Sequence, residues 1–214
     1  SMKPELLIGD YLFVSKFAYG YSRYSLPFEP DLFEGRILAA DPERGDVVVF
    51  KHPRHDACAR GPVERIGGFF LAIFGVVQTN AGDCRDYIKR IVGLPGDSVQ
   101  VIGGILHING EALPTERIED FVEPKIRLGS PPSCPRCVNS PVSPGGACRK
   151  EQFVETLPDG HAHRILNIRG EMGVPGAGGS GPDNTPVFEV PEGHFFFMGD
   201  NRDNSIDSRF INQV

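Results

Sequence analysis

Apolar residues along the chain fall into short runs separated by glycine, proline and Asx-type turn residues, and no helical heptad or internal repeat stands out. Residues 11–14 (Tyr-Leu-Phe-Val) and 46–50 (Asp-Val-Val-Val-Phe) each read as a strand. Residues 87–101 read as strand, turn, strand: Tyr-Ile-Lys-Arg-Ile-Val, then Gly-Leu-Pro-Gly-Asp, then Ser-Val-Gln-Val. Residues 102–108 and the Asn109-Gly110 turn extend this as a hairpin series. Residues 186–191 rejoin the main sheet, and the run His-Phe-Phe-Phe-Met at 194–198 is a buried strand entering a tight polar loop. The pattern predicts a mainly β, antiparallel fold. Its main domain comprises residues 1–112 and 184–214, and residues 113–183, poor in periodicity, form an inserted smaller β subdomain at the periphery. Residues 170–182 read as a mobile loop within it.

Composition narrows the class. A chain of 214 residues holds one sizeable core or two small ones. With 26 glycines and 19 prolines it favours short strands and turns over long helices. A net charge of -6 with no basic tract makes nucleic acid an unsuitable partner. No stretch approaches the ~20 apolar residues of a membrane span. The apolar run nearest to one, residues 66–77, suits a buried strand pair, a satellite core or a hairpin at a membrane surface. It lies in residues 52–84, which read as an insertion.

Five cysteines set further limits: Cys58, Cys84, Cys134, Cys137 and Cys148. Cys134-Pro-Arg-Cys137 lacks the second well-spaced pair of a zinc ribbon and the helix start of a redox CxxC motif. A disulfide from Cys148 to either Cys134 or Cys137 is more economical, and Cys58 with Cys84 is a second candidate pair. The loop after residue 198 does not fit calcium either, because Arg202 and Ser205 occupy positions where a calcium loop wants an acid or Asn and a glycine. No metal or cofactor is implied.

Three boxes carry the chemistry. Residues 195–208 contain Phe195-Phe196, Gly199-Asp200-Asn201, Ser205 and Ser208 at fixed spacing. Lys89-Arg90-Ile91-Val92-Gly93-Leu94-Pro95-Gly96-Asp97 forms the second box, and Ser1-Met2-Lys3-Pro4-Glu5-Leu6 the third. Together they resemble the boxes of bacterial type I signal peptidases, membrane-bound serine proteases with a Ser-Lys dyad. The third box fits from its second serine onwards, and Glu5 stands where Thr or Ala is usual.

The resemblance implies an antiparallel β catalytic core of the type shared with self-cleaving Ser-Lys repressors. It implies Ser1 as nucleophile and Lys89 as general base, with Ser205 holding the lysine amine and Asp207 holding Ser205 and Arg209. Met2, Tyr87 and Ile88 flank these residues and are candidate walls of the substrate pocket. The substrates would be signal peptides of exported preproteins, cut after Ala-x-Ala-like sites, and lipid the other partner, contacted by the aromatic segment 17–28. The enzyme would act as a monomer in the bacterial inner membrane with its catalytic domain on the periplasmic side. This chain would then be a fragment, truncated at both ends and lacking the membrane helices.

A lysine base raises a physical requirement. At the reference pKa of ~10.4 fewer than about one lysine in a thousand is neutral at pH 7, so a working base needs its charged form destabilised by roughly 3–4 kcal/mol. Strand alternation puts Lys89 and Arg90 on opposite faces, which lets one be buried while the other stays wet. Arg90 itself cannot serve, because a guanidinium keeps its proton. A carboxylate touching Lys89 would work against the requirement, so Asp207 is expected to act at one remove. Three other readings are a self-cleaving Ser-Lys repressor, an N-terminal-nucleophile hydrolase using the Ser1 amine, and an inactive membrane-associated binding module of the same fold. The first lacks a basic DNA-binding domain, and the second leaves the Lys89 and Ser205 boxes unexplained.

Overall fold

The computed structural model describes residues 2–7, 9–22, 25, 36–51, 86–126, 137–167 and 182–210. Ser1, the insertion 52–84 with Cys58 and Cys84, Cys134, most of the loop 170–182 and much of the segment 17–28 lie outside them. The chain divides into two compact units, one of Ser1–Tyr11, Glu43–Val48 and Ile88–Val214, the other of Leu12–Pro42 and Val49–Tyr87.

The fold is nearly all β. Among the described residues there are three sheets. The first has the order β1-β2-β10, built from β1 (Val47–Lys51), β2 (Asp86–Gly93) and β10 (Phe196–Met198), with β10 antiparallel to β2. The second has the order β5-β4-β3-β9, from β3 (Ser98–Ile102), β4 (Ile105–Ile108), β5 (Glu111–Ala112) and β9 (Phe188–Glu189), all antiparallel. Its hairpins follow turn chemistry. Ile102 pairs with Ile105 across Gly103 and Gly104, at φ 57° and 83°. Ile108 pairs with Glu111 across Asn109 and Gly110, at φ 54° and 81°. Two consecutive left-handed residues match the twist of the flanking strands, and only glycine and asparagine adopt them readily.

Alternation then builds the core. Val99 and Val101 on β3, with Leu106 and Ile108 on β4, point inward and pack with Val92, Leu113, Leu157, Val190, Phe196 and Met198. The strand expected at 46–50 is β1, and the one expected at 194–198 is β10, wholly buried. Residues 11–14 are a correction. They form no strand, and Tyr11 and Phe13 are fully exposed, at 97% and 104%. Apolar character and β-propensity make a strand only where a neighbouring edge offers hydrogen bonds and a covered face.

The third sheet, β6 (Thr115–Pro124), β7 (Ala147–Thr156) and β8 (Ala162–Asn167), is antiparallel with β7 central. Near the start of β7, Cys148 is disulfide-bonded to Cys137, the nearer in sequence of the two expected partners. Buried positions on β7 include Lys150 and Gln152 on one face and Glu155 on the other, so both of its faces bury polar groups. Lys150 is paired with Glu123 of β6 at 2.6 Å, and Lys3 of the N-terminal segment pairs with the same carboxylate. Arg164 of β8 pairs with Glu5 at 2.9 Å. Residues 3–5 are thereby fastened to this sheet by two ion pairs.

Candidate active site

The site is assembled where β2 runs beside β10 and the loop that follows it. β10 delivers the chain into Gly199-Asp200-Asn201, a single 3-10 turn (Arg202–Asn204) and then Ser205 to Arg209. The loop is closed on itself. Asp207 Oδ2 accepts the Gly199 N–H at 3.1 Å, and the Arg209 guanidinium donates to both Asp207 oxygens at 2.8 and 2.9 Å. Arg209 also donates to the Arg202 carbonyl at 2.6 Å. Ser208 and Phe197 exchange two bonds, the Phe197 N–H to Ser208 Oγ at 3.0 Å and the Ser208 N–H to the Phe197 carbonyl at 3.1 Å. A loop so tied presents Ser205 from a fixed position.

Lys89 meets it there. Lys89 Nζ lies 3.0 Å from Ser205 Oγ, and the two residues are only 4% and 7% exposed. Burial pushes the Lys89 amine below the ordinary lysine value; Asp207 opposes this, Arg209 adds to it, and Asp200 opposes it again. Desolvation is the largest of these influences and acts in the direction that a lysine base requires. Asp207 does stand at one remove, with its oxygens engaged by Arg209, Gly199 and the Ser205 hydroxyl. Burial alone would raise the Asp207 carboxyl, but Arg209 and these donors hold it below the usual aspartate range, so it stays ionised.

One expectation is overturned. Arg90 does not stay wet; it is 5% exposed. Its guanidinium forks onto Asp200, Nε to Oδ1 and Nη2 to Oδ2 at 2.9 Å each, and Nη1 reaches the Gly45 carbonyl at 2.8 Å. Alternation separated the two cations by face, but both faces of β2 are covered here, and Arg90 is tolerated because nearly all its donors are satisfied. Sequence reasoning missed this pair, and it missed the pair formed by Glu155 and Arg202. The only available signal was the adjacency of Arg90 to Lys89.

The remaining site candidates are less concentrated. Met2 is 3% exposed, and its carbonyl accepts the Leu6 N–H at 3.0 Å. Ile88 is half-buried at the start of the first unit's share of β2. Tyr87 belongs to the second unit, stacked on Phe50 with ring centres 6.2 Å apart. Lys89, Ser205, Asp207 and Arg209 are brought together; Ser1 lies outside the described residues.

Comparison with known proteins gives a consistent result. Residues 1–214 match the family model described as Signal peptidase, peptidase S26. Signal peptidase I of Rickettsia canadensis is 36% identical over 98% of this chain and 61% of that protein. Signal peptidase I of Rickettsia massiliae is 38% identical over 98% of this chain and 60% of that protein. The same enzyme of Rickettsia prowazekii is 36% identical over 98% and 61% respectively. The chain thus spans about 60% of the length of these relatives.

Proposed function

The chain belongs to the peptidase S26 family of signal peptidases, and on that premise we propose that it is the catalytic part of a serine endopeptidase that removes signal peptides from exported preproteins. The observation that carries the reading is the buried Lys89 amine, 3.0 Å from Ser205 Oγ, with the ionised Asp207 already occupied by Arg209. Burial lowers the proton affinity of a lysine so placed, and the Ser205 hydroxyl orients its amine.

In the proposed mechanism, neutral Lys89 takes the hydroxyl proton of Ser1 as its oxygen attacks the carbonyl carbon of the scissile bond. The C–N bond of the tetrahedral intermediate then breaks. Protonated Lys89 gives its proton to the leaving nitrogen, which becomes the amino terminus of the mature protein. The signal peptide stays esterified to Ser1 until a water, deprotonated by Lys89, attacks the ester. That step releases the signal peptide carboxylate and restores the Ser1 hydroxyl. The Ser1 backbone N–H donates to the oxyanion. The pairs of Lys3 with Glu123 and Glu5 with Arg164 hold the segment carrying Ser1 in place.

The substrate binds extended, as an added strand, with small residues before the cut admitted by walls that include Met2 and Ile88. In the second unit, exposed Leu12, Phe13, Val14, Phe17, Ile37 and Leu38 support contact with lipid. Among the described residues no helix is long and apolar enough to cross a membrane. We place the enzyme at the bacterial inner membrane, as a monomer, with this chain on the periplasmic side.

The test is to incubate the full-length protein in detergent with a preprotein bearing an Ala-x-Ala site and to locate the cut by mass spectrometry. Cleavage should fall after the second alanine and vanish when that alanine becomes Leu or Trp. Cleavage indifferent to that replacement would overturn the substrate reading, and none at all would favour a binding module.

A further inference from the structure

Beneath the Lys89 site lies a buried charge cluster that the mechanism does not use. Glu155 of β7 is 0% exposed and Arg202 of the catalytic loop 3%. The two are joined by two prongs, Arg202 Nη1 to Glu155 Oε2 at 3.0 Å and Nη2 to Oε1. His163 of β8 faces the same carboxylate, with Nε2 3.4 Å from Glu155 and 3.9 Å from Asp200. The Glu155–Arg202 pair therefore ties the catalytic loop to the third sheet. The backbone adds a second tie, since the Leu166 N–H donates to the Asp200 carbonyl at 2.9 Å.

The position of Arg202 is what gives the pair a consequence. Besides Glu155, Arg202 senses Asp200 and Asp207. Those two carboxylates also act on Lys89, together with Arg209. An Arg202 released from Glu155 would compete with Arg209 for Asp207, and so disturb the group that orients Ser205. We infer that Glu155 is a positioning residue for the catalytic loop: by holding Arg202 with both prongs it keeps Asp207 available to Ser205, Gly199 and Arg209, and so fixes Ser205 against Lys89. The inference rests on the reading of Lys89 as the general base. Burial by itself would raise the Glu155 carboxyl, but Arg202 and His163 reverse this and hold it down at about 2, so the pair is intact at any working pH.

The test compares Glu155→Gln with the double variant Glu155→Gln/Arg202→Met. In the first, a buried positive charge is left without its partner; in the second, both charges are gone. The 214-residue chain is labelled with 13C at the lysine ε-carbons, and the Lys89 signal is identified by its loss in Lys89→Ala. In Glu155→Gln, Lys89 should titrate at lower pH than in the parent, because the Glu155 negative charge is gone and the released Arg202 neutralises Asp207. In the double variant its titration should return toward the parental position. In the full-length protein, Glu155→Gln should lower kcat about ten- to a hundredfold with little change in KM, and move the acid limb of the pH profile in the same direction.

A Glu155→Gln protein that loses only thermal stability, with parental kcat and parental Lys89 titration, would overturn the inference. If the parent cleaves no Ala-x-Ala peptide, the proposed function falls, while the Lys89 titration still decides this point. Should Glu155→Gln fail to fold, Glu155→Asp keeps the charge and shortens the reach. It should then lower kcat severalfold with the acid limb in place, and an unchanged kcat would overturn the inference.

Discussion

Lys89 and Arg90, neighbours on β2, are both buried, and the structure treats them in opposite ways. Arg90 is given a carboxylate and a carbonyl, so it stays charged. Lys89 donates to the Ser205 hydroxyl, and its burial works against its charge. The stability cost of that choice has a definite pH dependence. Between the depressed folded value and the ~10.4 of an unfolded lysine, the unfolded chain binds more protons, and the parent gains stability as pH rises. Lys89→Met removes this dependence. It should unfold at higher urea than the parent, with the advantage greatest at low pH and shrinking as pH rises through the window; urea midpoints over a pH series check this. The meeting of Lys89 with Ser205 was legible because the boxes that carry them resemble a known pattern, while Ser1 lies outside the described residues. The burial of Arg90 was not, because a strand pattern says which face a residue takes but not what covers that face.

At the scale of elements, β2, β3, β9 and β10 are held close by a missing side chain. A Cβ on Gly93 would lie 2.7 Å from Val99 Cγ2 and 2.9 Å from Phe196 Cβ, in the middle of the core. Gly93→Ala should therefore destabilise the fold by about 1–3 kcal/mol through overpacking, read as a lower urea midpoint. Because β2 carries Lys89 and β10 leads into the Ser205 loop, kcat should fall in the same variant. The hairpins of β3, β4 and β5 were legible, since Asn109-Gly110 dictates a left-handed turn and Val99, Val101, Leu106 and Ile108 alternate cleanly. The long strand β7 hid itself. Its buried positions include Lys150 and Gln152 on one face and Glu155 on the other, with partners as far away as Arg202, 47 residues on. Buried polar groups on both faces, satisfied by tertiary pairing, leave no period of apolar residues to read. The 120-residue span between Lys3 and Glu123 is silent in the sequence for the same reason.

For the molecule as a whole, the proposed function depends on bringing three distant boxes together. The exposed apolar residues of the second unit are the ones the proposal turns toward lipid. Phe13→Ser with Leu38→Ser should weaken binding to anionic phospholipid vesicles by roughly a hundredfold or more, since each side chain forfeits about 1.5–3 kcal/mol of apolar burial. Cosedimentation measures it, and unchanged partitioning would remove the membrane role from this surface. The boxes were legible without a structure, but the frame that joins them was not, because it is made of ion pairs between segments far apart in the chain. The central claim is that Lys89 is the base. Its most direct test is cleavage of an Ala-x-Ala preprotein by full-length parent, Lys89→Ala and Lys89→Arg across a pH series. Both variants should be inactive at every pH, while parental kcat/KM rises from acid as Lys89 loses its proton. Cleavage surviving in Lys89→Ala would contradict the account.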